Sequence, residues 1–429
     1  MVQIRDIRAG KATGREVELK GWIYRTRTIG GKVFVVIRDA TGILQVAVTK
    51  GEVRPDAFEA ATKALIESTV RVFGQIVQDK RAPGGYEVRA MDFHVLHFAE
   101  KFPITEDQSE EFLLDVRHLW VRSQKMTQVF RVRHVVFAAI HEYFRNEGFW
   151  EVHPPMITPV GSEGGATLFT VDYFGEKAYL TQSWQLYAEA LVAAMEKVYY
   201  IGPSFRSEKS RTTRHLTEYW HAEMEQAWVG MDEIIEHAEG VISHVCKRVA
   251  EEAPGEVEAL GRPPDFLKRV TPPFERLRYD DALKSLKEKG MDIEWGKDLR
   301  TLEERALTEG KKKPIVVSHY PTISQAFYKR RDPDNPKYVL GFDVIAGDDV
   351  GELVGGSERE TDIEVLKRSL NEQGEDPKAY AWYLDLRRYG NVQHAGFGMG
   401  VERVIQWICK LEHIRDAIPF PRTPARFAP

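Results

Sequence analysis

The sequence of 429 residues lacks several features that would place it in a specialised class of proteins. It contains no run of about 18 consecutive apolar residues, and its start is too polar for the apolar core of a signal peptide. Its two cysteines, Cys246 and Cys409, match no metal-binding or redox spacing. We therefore expect a cytoplasmic protein that makes no membrane contact and keeps both thiols reduced and structural.

The sequence also lacks the two commonest nucleotide-binding loops. It has neither GxxxxGK followed by Ser or Thr, nor GxGxxG after a predicted strand. Any phosphate that this chain binds must therefore be held by side chains. Arginine suits that task because its planar guanidinium group stays charged and binds phosphate through two hydrogen bonds.

The composition that is present, 43% hydrophobic and 29% charged, is typical of a soluble globular protein with two or three domains. The net charge is -5, yet the first fifty residues carry ten Lys and Arg against four Asp and Glu. A basic segment at the head of an acidic chain indicates one localised contact with a polyanion.

Residues 1–98 predict a small β-barrel. Alternating apolar residues and turn signals give five strands, with a helix that begins at Pro55 between the third and the fourth. This order of elements is that of an OB-fold. The predicted strands are Val17–Arg27, Val33–Asp39, Ile43–Val48, Thr69–Asp79 and Glu87–His97.

Residues 126–429 predict an α+β domain with a mainly antiparallel sheet flanked by helices. Residues 99–125 break the periodicity and are predicted to form a hinge. After them, Val129, Val132, Val136 and Ile140 recur at helical spacing. The Pro-, Gly- and charge-rich stretch that starts at about residue 252 is predicted to open an insertion that runs to about residue 313.

Two segments indicate a site. In the first, Phe205-Arg206-Ser207-Glu208 ends one predicted strand and Arg214-His215 begins the next, so that two arginines and a histidine meet at the mouth of a hairpin. A solvated hairpin with surface ion pairs is the alternative. In the second, alternate glycines in Gly396–Gly400 allow close approach of a ligand, and a helix then begins with Glu402-Arg403, a pair able to reach a nucleotide. Alone, such a strand could also be a barrel bend or a bulge.

Together with Gly148–Pro155, these two segments resemble the three signature motifs of class II aminoacyl-tRNA synthetases, in the right order. With an OB-fold in front of these motifs, the chain resembles the subgroup of the family that is specific for aspartate, asparagine and lysine. Further segments look like its aspartate and asparagine members: Glu163–Ala166, Gln182–Gln185, Gly351–Arg359 and Ile418–Arg422. The resemblance implies a homodimer through the first motif, near Pro155.

The resemblance to the asparagine members implies an activity. We expect ATP-dependent activation of L-asparagine as the adenylate and its transfer to tRNA(Asn), with Mg²⁺ as the metal. One alternative is an aspartyl enzyme, which in a non-discriminating form charges both tRNAs. Another is a relative similar to asparagine synthetase that uses an aspartyl adenylate, although such relatives typically lack the barrel.

The resemblance also implies roles for single residues. Arg206 and Arg403 match catalytic arginines, and Glu352 matches a magnesium ligand. The other matches to ATP contacts are Glu208, Arg214, His215, Leu216, Tyr219 and Gly400; those to amino-acid contacts are Glu163, Gln185, Ala188, Glu223 and Arg359; and those to anticodon contacts are Arg25, Arg27, Phe34 and Gln45. For Tyr219 and Phe34 the alternative role is that of a core aromatic.

The preference for asparagine rests on charge, because an aspartate site needs a cation near the side chain and an asparagine site needs an acceptor. Aspartate relatives carry a lysine where Ala188 stands, and asparagine relatives carry a glutamate where Glu223 stands. That carboxylate would accept from the amide and repel a substrate carboxylate. Alternatively, Glu223 helps to hold magnesium or an arginine.

The sequence departs from the relatives at Gly355, at Trp184 and at Thr212-Thr213, which precedes Arg214 where many asparagine members carry another arginine. Gly355 replaces a serine that helps to bind magnesium in the aspartate members, and Trp184 replaces a small residue or proline. His221 lies near Glu223 in sequence and, if it is protonated, would favour a substrate carboxylate. These departures bear on the choice between asparagine and aspartate, and the match to the three motifs stands without them.

Overall fold

The computed structural model describes residues 2–162, 167–209 and 212–429 and divides the chain into two compact units, Met1–Leu113 and Leu114–Pro429. The first unit contains the predicted five-stranded barrel, closed in the order β1-β2-β3-β5-β4. Its elements are α1 (Ile4–Arg8), β1 (Glu16–Ile29), β2 (Lys32–Asp39), β3 (Gly42–Thr49), α2 (Pro55–Lys63), β4 (Thr69–Gln78) and β5 (Tyr86–His97).

The barrel forms because β1, β2 and β4 alternate over most of their length between buried and more exposed residues. Val33, Val35 and Ile37 on β2 have no exposed surface and fill the interior. Pro55 begins α2, where its missing N–H is harmless. The strand bounds agree with the predicted ones to within two residues, so the OB-fold prediction is confirmed.

The predicted hinge contains two short helices, α3 (Glu110–Asp115) and α4 (Arg117–Trp120). Helices of six and four residues are too short to show helical periodicity in the sequence. The division between the two units falls within α3. The hinge at 99–125 and the domain limits at 98 and 126 stay predictions, as does the insertion at 252–313.

The second unit is built on an eight-stranded sheet in the order β12-β13-β14-β15-β16-β11-β10-β6, beside a three-stranded sheet in the order β7-β9-β8. Only the outermost pairs of the large sheet, β12 with β13 and β10 with β6, are parallel. The strands are β6 (Trp150–Glu151), β7 (Ile157–Thr158), β8 (Thr170–Tyr173), β9 (Glu176–Leu180), β10 (Lys197–Phe205), β11 (Glu218–Ala227), β12 (Glu275–Arg278), β13 (Ile315–Ser318), β14 (Gly341–Ala346), β15 (Gly351–Glu358) and β16 (His394–Gly400).

Helices pack against both faces of the large sheet, and α5, α7 and α14 cover one of them. The predicted amphipathic helix is α5, which Ser123 caps by accepting a hydrogen bond from the Met126 backbone N–H. It packs with α7 and α14 in the main hydrophobic core. The helices are α5 (Gln124–Asn146), α6 (Gln185–Met195), α7 (Met231–Glu252), α8 (Pro254–Ala259), α9 (Pro264–Lys268), α10 (Tyr279–Glu288), α11 (Thr301–Thr308), α12 (Ile363–Glu372), α13 (Ala381–Arg388) and α14 (Val401–Ile408).

The pleat of the central strands sorts their residues between this core and the opposite face. On β11, Ala222 and Met224 lie in the main core, and the polar residues that alternate with them point to the other face. On β16, Phe397 and Met399 lie in the core and the glycines alternate with them. The face opposite the helical core therefore carries the chemistry.

Candidate active site

Neighbouring strands bring the two site segments of the sequence side by side. In the sheet register, Gly398 on β16 pairs with Glu223 on β11 and with Gly355 on β15. A Cβ atom at Gly398 would lie 2.5 Å from His221 Nε2, and one at Gly355 would lie 2.7 Å from Glu352 Oε1. A side chain at position 398 would therefore displace the His221 ring, and one at position 355 would displace the Glu352 carboxylate, so the two glycines leave an open floor between polar side chains.

The loop between β10 and β11 is longer than the sequence indicated. β10 ends at Phe205 and β11 begins at Glu218, so Arg206 and Arg214 stand outside the strands. The backbone at Arg206 still pairs across the loop, since its N–H donates to the Thr217 carbonyl at 2.9 Å. The Thr217 N–H then donates to the Arg422 carbonyl, and this contact with the chain's end takes the place of further hairpin pairing.

Two adjoining cavities open on this face. The arginine cavity holds three arginines and two histidines, and the carboxylate cavity holds four acidic residues. The residues shared by both linings are Arg206, His221, Glu352 and Gly398. The full lining of the arginine cavity is Arg206, Arg214, His215, Leu216, Tyr219, His221, Glu352, Leu353, Gly398, Gly400, Glu402, Arg403 and Ile414.

Eight of the nine residues predicted to bind ATP line the arginine cavity. Arg403 donates from Nη1 to the Glu352 carbonyl at 2.7 Å, and Arg214 forms an ion pair with Glu304 on α11. Tyr219 is half-buried, with its ring 6.0 Å from the Arg206 guanidinium carbon. Glu208 is the ninth residue, and the part of the chain that the structure describes does not place it in this lining.

Both histidines of the arginine cavity are held neutral. Burial, with the charge of Arg403 as the next cause, lowers the pKa of His215 to about 4. Burial, together with the charges of Arg206 and Arg403, lowers the pKa of His221 to about 3. Protonated His221, which would have favoured a substrate carboxylate, is therefore excluded at neutral pH.

The carboxylate cavity is centred on Glu223. Its side chain is buried and accepts hydrogen bonds from the Ser183 hydroxyl and from the Trp184 backbone N–H, the latter at 3.1 Å. A proline at position 184 would have no N–H to donate. Trp184, which departs from the relatives, thus helps to hold Glu223 through its backbone N–H.

Two further predicted amino-acid contacts, Arg359 and Gln185, also line this cavity. Arg359 binds Glu225 through two hydrogen bonds of 2.9 Å, so its positive charge is largely balanced. Gln185 donates from Nε2 to Glu189 at 3.0 Å. Ala188 lies instead in a hydrophobic cluster with Trp184, and the described lining of the cavity does not include it.

Comparison with known proteins agrees with this geometry. The sequence model of the family described as class II tRNA synthetases (D, K and N) matches residues 109–424, and that of the OB-fold nucleic acid binding domain matches residues 17–96. The chain belongs to the class II tRNA synthetases. Its predicted fold class and family are both confirmed.

Curated relatives of this synthetase are similar along their whole length. The asparagine–tRNA ligase of Thermococcus gammatolerans is 46% identical over 97% of this chain and 96% of its own. That of Thermoplasma acidophilum is 43% identical, with all of both chains covered. The crystal structure of asparaginyl-tRNA synthetase from Pyrococcus horikoshii complexed with asparaginyl-adenylate has a TM-score of 0.96 and 45% identity, and covers 100% of this chain and 99% of its own.

The four predicted anticodon contacts of the synthetase share the outer face of its barrel. Phe34 alternates with the buried Val33 and Val35, is half-buried and lies outside the barrel core, with Arg27 opposite it on β1. The Arg27 guanidinium carbon lies 5.8 Å from the Phe34 ring centre. Gln45 donates to Glu87 at 2.6 Å, and the exposed Arg25 pairs with Glu106 at 3.5 Å.

Sequence reasoning missed Asp343 on β14, which faces Glu352 in the carboxylate cavity. Burial and the charge of Glu352 raise the pKa of Asp343 to about 8. The sequence signal that could have revealed it is the acidic residue between the apolar residues Phe342 and Val344 in a buried strand. Folding alone does not favour an acid at such a position. Glu225 and Lys329 were also missed, and both line the same cavity.

The predictions for Glu163 and Glu402 remain: the first is untested, and for the second the structure shows a different contact. Glu163 lies outside the residues that the structure describes, so its role stays a prediction. Glu402, expected to reach a nucleotide with Arg403, binds Arg133 and the Trp220 backbone N–H at 2.6 and 2.8 Å. Glu402 borders the arginine cavity, but its carboxylate binds residues of α5 and β11 and thereby joins these elements to α14.

Proposed function

We propose that this protein is an asparagine–tRNA ligase, which activates L-asparagine with ATP and transfers it to tRNA(Asn). The observation that carries the proposal is the pair of adjoining cavities. Arg206 borders both, and Glu223 lies in the second. The similarity of the chain over its whole length to curated asparagine–tRNA ligases supports the same activity.

ATP occupies the arginine cavity in this proposal. Tyr219 offers an aromatic ring for the adenine, with Arg403 on the opposite side near the γ-phosphate. Arg214 and His215 contact the phosphates from the loop. Because His215 is neutral, it serves as a hydrogen-bonding group and adds no charge.

In the chemical step the asparagine α-carboxylate attacks the α-phosphate of ATP, the bond between that phosphorus and the bridging oxygen to the β-phosphate breaks, and asparaginyl-adenylate and pyrophosphate are formed. Such phosphoryl transfer depends on alignment and on neutralising charge, so it needs no acid–base pair. Arg206 stands where the two reacting groups meet and can bind both. Its interaction strengthens as negative charge builds up on the α-phosphate, which makes it the main catalytic residue.

Mg²⁺ fits the carboxylate pair Asp343 and Glu352. The raised pKa of Asp343 reflects its burial and the neighbouring charge of Glu352, and a divalent cation with oxygen ligands would relieve the repulsion between the two carboxylates. No group of three or more His, Cys, Asp or Glu that could bind a metal occurs among the described residues, and phosphate oxygens and water would complete the coordination. The metal would supply charge neutralisation on the phosphates.

Selection of asparagine is assigned to Glu223. The Glu223 carboxylate lines the carboxylate cavity, where Ser183 and Trp184 hold it by hydrogen bonds, and a carboxylate can accept from the substrate amide N–H. Arg359, paired with Glu225, can still donate to the amide oxygen but offers little net attraction for a second carboxylate. Gln185, together with Glu163, binds the α-amino group.

The remaining parts of the proposal concern partners. The outer face of the barrel that carries Phe34 binds the splayed anticodon bases of tRNA(Asn). A homodimer forms through the first motif near Pro155, where β6 is the edge of the large sheet and exposes Trp150. The protein works in the cytoplasm, and no helix among the described residues is long and apolar enough to cross a membrane.

ATP–pyrophosphate exchange tests the proposal without tRNA. The purified protein is incubated with ATP, Mg²⁺, labelled pyrophosphate and each of the 20 amino acids in turn. We expect exchange with L-asparagine and at most a small fraction of that rate with L-aspartate. Exchange that prefers aspartate, or that requires no amino acid, contradicts the proposal.

A further inference from the structure

Gln185, in the carboxylate cavity, is held from behind by a buried polar cluster. Its amide Nε2 donates to Glu189 Oε1 at 3.0 Å, one helical turn further along α6. Only 7% of Gln185 and 3% of Glu189 are exposed. Glu189 is not in the described lining of the cavity, and its hydrogen bond to Gln185 joins it to a residue that is.

Glu189 is surrounded by hydrogen-bond donors. The Tyr383 hydroxyl lies 2.9 Å from both of its oxygens, and Arg387 Nη2 lies 2.5 Å from Oε2. His394 Nε2 is 3.0 Å from Oε2, and its other ring nitrogen faces the Val392 carbonyl. Burial alone would raise the pKa of Glu189, but the charge of Arg387 and the hydrogen bond from His394 hold it well below its ordinary value.

An ionised carboxylate accepts hydrogen bonds and donates none. The Gln185 amide must therefore turn its NH₂ group toward Glu189, since the reversed amide would place two acceptor oxygens about 3 Å apart. This orientation leaves the carbonyl oxygen Oε1 as the polar atom that Gln185 presents to the cavity. A carbonyl oxygen is the partner that a substrate ammonium group requires.

The cluster is also tied to the strand end that carries Arg359. Arg387 donates from Nε to the Glu360 carbonyl at 3.0 Å, and Glu360 directly follows Arg359. Glu189, on α6, thus binds side chains of α13 and of His394 at the start of β16, and Arg387 extends the cluster to Glu360 beyond the end of β15. A side chain held on three elements has little freedom to release the Gln185 amide.

We propose that Glu189 is a positioning residue that locks the Gln185 amide with its carbonyl oxygen toward the α-ammonium group of the amino-acid substrate. This inference rests on the proposed function, in which Gln185 binds that group. Glu189 itself touches no substrate. It acts through the orientation of a neighbouring amide, and thereby favours α-amino acids over analogues that lack the ammonium group.

The test uses Glu189→Gln in the full-length protein, because glutamine has the same shape and can donate as well as accept. The Gln185 amide is then free to turn. We expect the KM for asparagine to rise about 10- to 100-fold, the range for losing one oriented hydrogen bond to a charged group. The KM for ATP is expected to stay within about twofold. Glu239→Gln, at another buried carboxylate outside the described cavity linings, is the matched control and should change neither value.

A second measurement separates orientation from general damage. Succinamic acid, which is asparagine without its α-amino group, is used as a competitive inhibitor. Its inhibition constant should be the same for wild type and Glu189→Gln. If Glu189→Gln weakens the binding of succinamic acid and of asparagine equally, or if the KM for asparagine does not change, the inference is wrong.

Gln185→Ala covers the case in which Glu189→Gln fails to fold, because it leaves the buried cluster complete. It should show the same selective loss for asparagine over succinamic acid. Where the double variant can be made, its loss should be no greater than that of Gln185→Ala alone; additive losses would overturn the inference. If the wild type shows no asparagine-dependent exchange, the proposed function is wrong. If the wild type is active and Glu189→Gln has the same KM for asparagine, only the inference about Glu189 is wrong.

Discussion

Glu223→Gln is the substitution that examines amino-acid selection most closely. It keeps the size of the side chain and removes the carboxylate from the cavity. The amide oxygen can still accept from the Trp184 backbone N–H, and the Ser183 hydroxyl can rotate to accept from the new NH₂ group. The local hydrogen bonds can therefore be kept while the charge is lost.

The expected size of the effect follows from Coulomb's law. A substrate carboxylate about 5 Å from the Glu223 carboxylate, at an effective dielectric constant of about 20, is repelled by about 3 kcal/mol. Loss of that repulsion changes the ratio of kcat/KM for asparagine over aspartate by roughly 200-fold in favour of aspartate. The kcat/KM for asparagine also falls, because the substrate amide loses its strongest hydrogen-bond acceptor.

ATP–pyrophosphate exchange, measured with both amino acids over a range of concentrations, gives this ratio directly. The ratio is a better readout than either rate, because any general loss of stability lowers both rates together. Glu239→Gln is the control, since its carboxylate is equally buried but lies outside the described cavity linings. A Glu223→Gln protein that folds and keeps the wild-type ratio would refute the role given to Glu223.

Three further predictions concern other parts of the molecule. Phe34→Ala should raise the KM for tRNA by about 5- to 150-fold, the range for one lost base stack, without changing ATP–pyrophosphate exchange, whereas Phe73→Ala at an exposed aromatic on β4 should leave both unchanged. Because His221 has a pKa of about 3 when folded and about 6.5 when unfolded, the unfolded chain binds more protons between these values, and the free energy of unfolding falls as the pH drops below about 6.5. His221→Gln should reduce that slope by up to about 1.4 kcal/mol per pH unit in denaturant titrations between pH 4 and 6.5, and an unchanged slope would contradict the assignment. Trp184→Pro should impair asparagine activation more than Trp184→Ala, since both lose the side chain but only proline loses the N–H that binds Glu223; equal loss in the exchange assay would show that this hydrogen bond is unimportant.

The barrel and the glycine-rich strand could be predicted from the sequence because their signals are local. Alternation of apolar residues locates β2 and β3, and Pro55 marks the start of α2. The position of Arg206 near Arg403 could not be derived from spacing, since Arg206 follows β10 and Arg403 lies in α14, and the two meet only through the pairing of β11 with β10 and with β16. Resemblance to the family supplied that pairing.

Other features depend on which side chains meet in three dimensions. Asp343 and Glu352 lie on neighbouring strands, and a bulge between Val344 and Ile345 shifts their register, so strand periodicity does not place them together. The roles of Ala188 and Trp184 also depend on direction. The direction of α6 places the Ala188 side chain in a hydrophobic cluster. Trp184 binds Glu223 through its backbone N–H, and a pattern of side chains does not reveal such a contact.

The most direct measurement is a competition for esterification. The protein is given equal concentrations of L-asparagine and L-aspartate with ATP, Mg²⁺ and tRNA(Asn), and the aminoacyl-adenosine released from the tRNA 3′ end is identified by mass spectrometry. The account predicts asparaginyl-adenosine in large excess. Aspartyl-adenosine as the main product, or no esterified adenosine from a folded protein, would contradict it.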